Sequence, residues 1–187
     1  MIGNDVVDLQ LAKTQSNWQR KGFLEKQFTE EEQQTILNSE NPFLQVWLFW
    51  SMKEAAYKCY VQEHQKRFFA PKKFKCKILS KKEGIVQVNS FIYNIKIILS
   101  DFYIHSLAVK NKNKKMVSEL FFINKKSSQT KITNQYLLSY FSDKVKLHKN
   151  EVGVPFLYEQ QKRLPVSIST SHHGDYGGFA FILENEF

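Results

Sequence analysis

The hydrophobic and polar positions of the chain change their period along its length. An apolar segment at residues 2–9 is typical of a short strand, the polar segment at 14–27 is compatible with a short helix, and two helices are predicted between residues 29 and 64. Residues 72–110 alternate between apolar and polar side chains, which predicts several consecutive strands of one sheet. After a charged linker at residues 110–115, a helix is predicted at 131–141 and strands at 144–148, 166–169 and 177–183.

Two helices in the first third of the chain have clear boundaries. Thr29, followed three residues later by Glu32, forms a capping box, so one helix is expected to begin there and to end before Asn41-Pro42. The next helix is predicted at residues 43–64. Its beginning, residues 43–49, is almost entirely apolar, which indicates a largely buried helix.

A short internal repeat relates the two parts of the chain. Residues 101–109 and 175–181 both place Asp and Tyr just before an apolar strand. We therefore predict an α+β fold with two pseudo-symmetric lobes, each a small antiparallel sheet packed with a long helix. Residues 1–112 would form the first lobe and residues 113–187 a shorter second one.

Composition and charge narrow the possible functions. The 187 residues are 42% hydrophobic and 14% aromatic, which is enough to build a core. The net charge of +9 indicates an anionic partner, such as a nucleic acid, a phosphorylated ligand or an acidic protein. Cys59 and Cys76 do not form a ligand-like pair, which argues against a zinc site or a disulfide framework.

The start of the chain and its apolar runs bear on its location. Charged residues appear too early for a signal peptide, and no apolar run approaches the roughly 18 residues of a membrane span. The sequence predicts a soluble, cytoplasmic protein that does not bind a membrane.

Two acidic residues follow Gly3 in the first predicted strand. Asp5 and Val7 would share one face of this strand and Asp8 would point to the other, so only one of the two acids can join a given site. Gly3 would permit a close approach by a ligand or another strand. An edge strand with solvated acids is an equally good interpretation of the pattern.

The helix predicted at residues 43–64 carries Lys53, Glu54 and Lys58. Glu54 and Lys58 are four residues apart and share a face, whereas Lys53 points elsewhere. A carboxylate flanked by lysines at the end of a buried segment suits a metal-bound phosphate. An ordinary ion pair on a solvated face would give the same spacing.

Hydroxyl groups and two histidines precede Gly174 at residues 167–173. So many donors at a junction between a strand and a loop can hold a phosphate, although a polar turn is the simpler interpretation. His172 and His173 are neighbours on an extended chain, so their side chains diverge and are not expected to chelate one metal ion.

Together, these segments resemble the 4′-phosphopantetheinyl transferase superfamily. Its members share a Gly-x-Asp strand, a Trp-Ser-x-Lys-Glu-Ala-x-x-Lys helix, a Gly-x-Pro turn and a Ser-His loop. The corresponding segments here are residues 3–5, 50–58, 153–155 and 171–172. The helix motif is the most specific of the four, and their order adds to the resemblance.

The resemblance implies an enzyme that moves the phosphopantetheine arm of coenzyme A to a serine of an apo acyl or peptidyl carrier protein, releasing adenosine 3′,5′-bisphosphate. Asp5 and Glu54 would bind Mg²⁺, a cation that prefers oxygen ligands. Glu54, or a water beside it, would take the serine proton. Lys58 would stabilise charge on the departing phosphate.

The remaining family positions would bind the nucleotide of coenzyme A. Lys53, Ser171 and His172 would contact its phosphates, with His172 on the 3′-phosphate. Gly153 and Pro155 would bring the backbone close to the adenine.

Two positions depart from the family pattern, and the order of the motifs bears on assembly. Val7 stands where a second carboxylate is often found, and Val154 where the Gly-x-Pro turn often has lysine. The chain resembles a two-lobed enzyme whose halves are exchanged in order. This arrangement favours a monomer with its site between the lobes, and the alternative is a homotrimer with sites between chains.

A non-enzymatic function is the competing hypothesis. Residues 66–75 interleave basic and aromatic side chains, as in a module that binds acidic proteins or nucleic acid. The chain contains no recognised nucleic-acid motif, and lysines of this kind also occur on solvated edge strands. The transferase hypothesis therefore includes no nucleic-acid partner.

Overall fold

The computed structural model describes residues 1–68, 70–112, 115–123 and 128–183. The predicted linker at 110–115 and the basic segment at 66–75 each lie partly outside them. The helices are α1 (Leu9–Gln15), α2 (Phe23–Gln27), α3 (Glu30–Leu37), α4 (Pro42–His64) and α5 (Gln129–Leu138). The strands are β1 (Ile2–Asp8), β2 (Lys75–Ile78), β3 (Glu83–Val88), β4 (Phe91–Leu99), β5 (Tyr103–Val109), β6 (Met116–Phe122), β7 (Val145–Lys149), β8 (Pro155–Glu159), β9 (Lys162–Arg163), β10 (Val166–His173) and β11 (Tyr176–Leu183).

The first half of the chain forms a five-stranded antiparallel sheet with the order β1-β5-β4-β3-β2. The 23-residue α4 packs against β1 and β5. The Asn41 side chain caps the start of α4, and Pro42 occupies its first turn, where the missing N–H costs no hydrogen bond. Thr29 and Glu32 form the predicted capping box of α3. The expected helices at both places are confirmed.

The closest approach of β1 to α4 is at Gly3. A Cβ atom on this residue would lie 1.9 Å from the carbonyl oxygen of Ala55, so no side chain fits there. The predicted role of Gly3 in a close approach is confirmed, but its neighbour is a helix rather than a ligand or another strand.

The second half contains two three-stranded antiparallel sheets, with the orders β10-β11-β6 and β7-β8-β9. Helix α5 packs against β10 and β11. The α+β class and the antiparallel sheets are confirmed. The second half departs from the expected long helix, because α5 has only 10 residues.

The pairing registers show how the halves are related. Tyr103 lies opposite Asp8 where β5 pairs with β1, and Tyr176 lies opposite Phe122 where β11 pairs with β6. The hairpins β4–β5 and β10–β11 have matching registers too. The internal repeat is therefore present in the fold. The structure aligns Tyr103 with Tyr176, so residues 107–109 are displaced by one position from their expected match with residues 179–181.

Strands β1 and β10 lie side by side where the halves meet, but they belong to different sheets. On the edge of β1 that does not pair with β5, three backbone N–H groups donate to side chains and not to another strand. The three bonds are Ile2 to Gln62 Oε1 (3.3 Å), Asn4 to Ser169 Oγ (2.9 Å) and Asp8 to His173 Nδ1 (2.9 Å). An apolar cluster of Ile2, Leu107, Ala180 and Ile182 completes this seam. No helix among the described residues is long and apolar enough to cross a membrane.

Three strands were not expected from the sequence: β6, β8 and β9. All positions of β6 except the last are partly buried, so the strand lacks a clear alternation of buried and exposed side chains. Strand β8 begins with Pro155, which cannot donate to a ladder, and β9 has only two residues. These strands are recognised only through their pairing partners.

Candidate active site

Helix α4 and strand β1 bring three of the predicted residues together. The Lys58 ammonium donates to Asp5 Oδ1 at 3.0 Å and to the backbone oxygen of Asn4 at 2.8 Å. Glu54 lies one turn before Lys58 on the same helix. Gly3 makes this arrangement possible, because the absence of its side chain allows the strand to lie directly against the helix.

The carboxyl groups of Asp5 and Glu54 both have raised pKa values. Burial raises the pKa of Asp5 above its ordinary value, while the neighbouring Lys58 opposes that shift. Burial and, after it, the negative charge of Asp5 raise the pKa of Glu54 to about 7, although Lys58 opposes the shift. The ionised form of each acid is therefore destabilised in the folded protein, and a cation bound nearby would reduce this free-energy cost.

The second half contributes Ser171 and His172 from β10. His172 Nε2 and the Thr130 hydroxyl of α5 are 3.0 Å apart. The Ser171 hydroxyl is buried and has no hydrogen-bond partner within the described ranges. The sequence predicted a loop here, but both residues lie in a strand that continues to His173, where the backbone holds their side chains in fixed directions.

Two adjoining cavities lie between the halves. The smaller, of about 220 Å³, is lined by Asp5, Lys58, Thr130, Thr133, Asn134, Lys149, Thr170, Ser171 and His172. The larger, of about 330 Å³, includes Glu54, Tyr57 and the Gly153–Pro155 turn in its lining. Lys58, Lys149 and Thr170 line both cavities. A single chain therefore places Asp5, Glu54 and Lys58 around one cleft with Gly153, Pro155, Ser171 and His172.

The Gly-x-Pro turn forms one wall of the larger cavity. Gly153 has a left-handed φ of 76°, which favours glycine. The Arg67 guanidinium covers this glycine and donates from Nε to the backbone oxygen of Val152. A Cβ atom at position 153 would meet the Arg67 guanidinium, so Arg67 and the turn line the larger cavity together.

Lys53 does not belong to this cleft. Its side chain is only 3% exposed, and its ammonium donates to both carboxylate oxygens of Glu32, at 2.9 and 2.8 Å. It also donates to the backbone oxygens of Pro71 and Phe74. The expectation that Lys53 contacts a nucleotide phosphate is therefore corrected. Adjacent helix residues point about 100° apart, so Lys53 cannot share the face of Glu54.

Asp8 and His173 have structural roles at the seam between the halves. The Asp8 carboxylate caps α1 by accepting from the N–H groups of Gln10 and Leu11, and it also accepts from Asp175 N–H. His173 Nδ1 accepts from the Asp8 N–H. The expectation that Asp8 faces away from Asp5 agrees with these contacts.

Three residues of the cleft were missed from the sequence: Thr130, Lys149 and Arg67. Alternation along β7 could have indicated Lys149, because it shares a face with the core residues Val145 and Leu147. No local signal marks Thr130 or Arg67. Both meet the site through contacts between segments distant in the sequence.

Two aromatic residues of the basic segment at 66–75, Phe68 and Phe74, belong to or pack against the core of the first half. Phe68 and Phe74 stack on each other with ring centroids 5.6 Å apart, and Phe74 is buried. These two rings are therefore not presented as a platform for nucleic-acid bases.

The donor set fits a hard cation. Asp5 and Glu54 supply carboxylate oxygens, and the charge of Asp5 contributes to the raised pKa of Glu54. Within the described residues, no group of three or more His, Cys, Asp or Glu side chains gathers around one point. A cation held here by the protein would therefore draw further ligands from water or a bound phosphate.

Comparison with known families agrees with this arrangement. The family model of the 4′-phosphopantetheinyl transferase superfamily matches residues 1–112, which contain the Gly-x-Asp strand and the whole of α4. The chain belongs to this superfamily. Its members transfer the phosphopantetheinyl group, so the chain is assigned as a transferase.

A solved structure is similar to this phosphopantetheinyl transferase. The crystal structure of Thermotoga maritima holo-[acyl-carrier-protein] synthase is 13% identical in sequence, and the alignment covers 87% of this chain and 83% of that one with a TM-score of 0.46. No curated protein matches the sequence.

Proposed function

We propose that this transferase moves 4′-phosphopantetheine from coenzyme A to a serine of an apo acyl or peptidyl carrier protein, with Mg²⁺, and releases adenosine 3′,5′-bisphosphate. One observation carries the proposal: the carboxylates and Lys58 from the first half line the same cleft as Ser171 and His172 from the second. Membership of the superfamily supports phosphopantetheine as the group that is transferred.

The cleft offers different chemistry at its two ends. The turn at Gly153 and Pro155, which lines the larger cavity with Arg67, would lie close to the flat adenine, while the Thr130 hydroxyl and His172 would hold the 3′-phosphate. The Ser171 hydroxyl, which has no partner in the described part of the chain, is available to another phosphate oxygen. The diphosphate would then lie near Lys58, Asp5 and Glu54.

In the proposed reaction the carrier serine oxygen attacks the β-phosphorus of coenzyme A. The bond from that phosphorus to the bridging oxygen breaks, and adenosine 3′,5′-bisphosphate departs. Glu54 accepts the serine proton, directly or through a water. Lys58 stabilises the negative charge that develops on the departing phosphate. Asp5 and Glu54 would hold Mg²⁺, which when bound neutralises diphosphate charge and orients it for attack.

Mass spectrometry of apo carrier proteins incubated with coenzyme A and Mg²⁺ tests the proposal. A mass increase equal to one phosphopantetheine on the carrier serine, absent when that serine is replaced by alanine, is the expected result. No modification of any carrier, together with binding to random DNA that weakens steeply with salt, would instead favour the basic binding module.

His172→Ala is expected to weaken the use of coenzyme A far more than that of its 3′-dephospho analogue. A charge-assisted phosphate contact contributes on the order of 1.5–3 kcal/mol, which is roughly ten- to a hundredfold in affinity. Steady-state KM values for both substrates measure the difference. Equal losses for the two would show that His172 does not touch the 3′-phosphate.

The preference for coenzyme A over its 3′-dephospho analogue should also depend on pH through His172. Burial lowers the pKa of His172, and the charges of Lys58, Lys149 and His173 lower it further. The preference for coenzyme A over the dephospho analogue should therefore grow as the pH falls through the range in which His172 becomes charged. His172→Ala should abolish this dependence.

A site within one chain predicts a monomer of 22.1 kDa and no complementation between defective chains. In a mixture of Glu54→Gln and His172→Ala proteins, every chain would then carry one damaged site. If sites lay between chains, some interfaces would combine an intact Glu54 with an intact His172, and activity would partly return. Light scattering measures the oligomeric state, and the activity of the mixture measures complementation. A trimer whose defective chains restore activity to one another would contradict the predicted monomer.

A further inference from the structure

Lys149 stands at the point where a core strand reaches the cleft. It is the last residue of β7 and shares a face with Val145 and Leu147, which pack in the core of the second half. Because that core ends at the cleft, the next side chain on the same face enters the cavities. Lys149 lines both of them and is exposed to solvent.

The position of Lys149 is tied to the Gly-x-Pro turn. Its Cα lies opposite that of Pro155 in the β7–β8 ladder. Val154, the middle residue of the turn, is only 4% exposed, and its backbone forms hydrogen bonds with Asn150 in both directions. Position 154 therefore presents no cation, whereas Lys149 presents one directly across the hairpin.

The charge of Lys149 acts on His172. It contributes, after burial and Lys58, to the lowered pKa of that histidine. Within the described residues Lys149 forms no ion pair, unlike Lys58, which is paired with Asp5. Two cationic side chains, Lys58 and Lys149, thus line the smaller cavity beside His172, and only Lys58 is paired with a carboxylate. An anion bound between Lys149 and His172 would balance the charge of Lys149 and favour protonation of His172.

We propose that Lys149 binds the 3′-phosphate of the nucleotide together with His172, and supplies the cation that the Gly-x-Pro turn lacks at Val154. This assignment rests on the proposed function. It makes Lys149 a specificity-determining residue: it selects nucleotides that carry a 3′-phosphate and takes no part in the proton transfer at Glu54.

Calorimetric titration with adenosine 3′,5′-bisphosphate and with adenosine 5′-phosphate tests the assignment without any turnover. Lys149→Ala should weaken binding of the bisphosphate about ten- to a hundredfold, as expected for one charge-assisted contact, and change binding of the monophosphate little. Lys149→Arg should retain most of the affinity, since it keeps the charge. Lys146→Ala is the matched control, because Lys146 lies on the opposite face of the same strand.

The outcomes separate this inference from the proposed function. If Lys149→Ala behaves like Lys146→Ala, or if both nucleotides are weakened equally, Lys149 does not read the 3′-phosphate and the inference is overturned. If the unmodified protein binds neither nucleotide nor coenzyme A, the proposed function fails and the inference fails with it. Thermal unfolding of each variant confirms that the comparison is made on folded protein.

Discussion

Replacing Glu54 with glutamine is expected to lower the rate of phosphopantetheine transfer by roughly 10²–10⁴-fold, the range typical for loss of a general base. The substitution keeps the size of the side chain but removes a proton acceptor and an oxygen ligand for Mg²⁺. Carrier modification followed by mass spectrometry measures the rate. Turnover close to that of the unmodified protein would overturn the assignment of Glu54.

The same variant should not be less stable, which separates a chemical role from a structural one. Burial and Asp5 raise the pKa of Glu54 from 4.5 to about 7 in the folded state. The folded protein thus binds this proton more tightly than the unfolded chain, and the resulting stability is lost as the pH rises through about 7. Without Mg²⁺, Glu54→Gln should lack this loss and unfold above pH 7 at or above the temperature of the unmodified protein.

Asp5 and Asp8 provide a matched pair of controls for the Glu54 variant. Asp5→Ala should lower transfer to a similar extent, with partial recovery in excess Mg²⁺, because Asp5 shares the proposed metal site. Asp8→Asn should remain close to the unmodified protein, since asparagine also caps a helix. A loss in Asp8→Asn as deep as that in Asp5→Ala would contradict the separation of the two faces of β1.

Replacing Lys53 with alanine is expected to reduce the free energy of unfolding by about 3–5 kcal/mol, the usual effect of leaving a buried charge without its partner. Glu32 would keep its carboxylate in the interior with two backbone donors, the N–H groups of Thr29 and Cys76, but without the ammonium that balances its charge. Denaturant titration measures the loss. Binding of adenosine 3′,5′-bisphosphate to the folded variant should stay unchanged, because Lys53 lies outside the cleft.

A double variant distinguishes the loss of the pair from the loss of packing. Lys53→Met with Glu32→Leu removes both charges while keeping most of the volume, so it should be more stable than either single change. If Lys53→Ala instead folded normally and lost nucleotide affinity, the correction made from the structure would itself be wrong.

The helix that carries the chemistry could be predicted because its signals are local. The break at Asn41-Pro42, the apolar run after it and the spacing of Glu54 and Lys58 depend on residues close together in the sequence. The role of Lys53 could not be predicted in this way. Its partner Glu32 lies one helix earlier in the chain, and the adjacent glutamate gave a misleading association with the cleft.

The second half of the site was predicted less well for the same reason. Ser171 and His172 were identified from their residue types, but their place in a strand depends on pairing with Gly177 and Gly178 of β11. Lys149 and Arg67 reach the cleft only through the β7–β8 hairpin and the turn at Gly153. Such long-range contacts leave little trace in local periodicity.

The seam between β1 and β10 determines how the cleft can change its width. The bonds that tie β1 to β10 include those from the backbone N–H groups of Asn4 and Asp8 to side chains of β10, and one such bond contributes on the order of 1 kcal/mol to stability. These bonds can be exchanged for water one at a time, whereas a continuous ladder would have to unzip cooperatively. Separation of the halves would in addition expose the buried cluster of Ile2, Leu107, Ala180 and Ile182, so we expect the cleft to adjust by exchange of single bonds and not by parting of the halves.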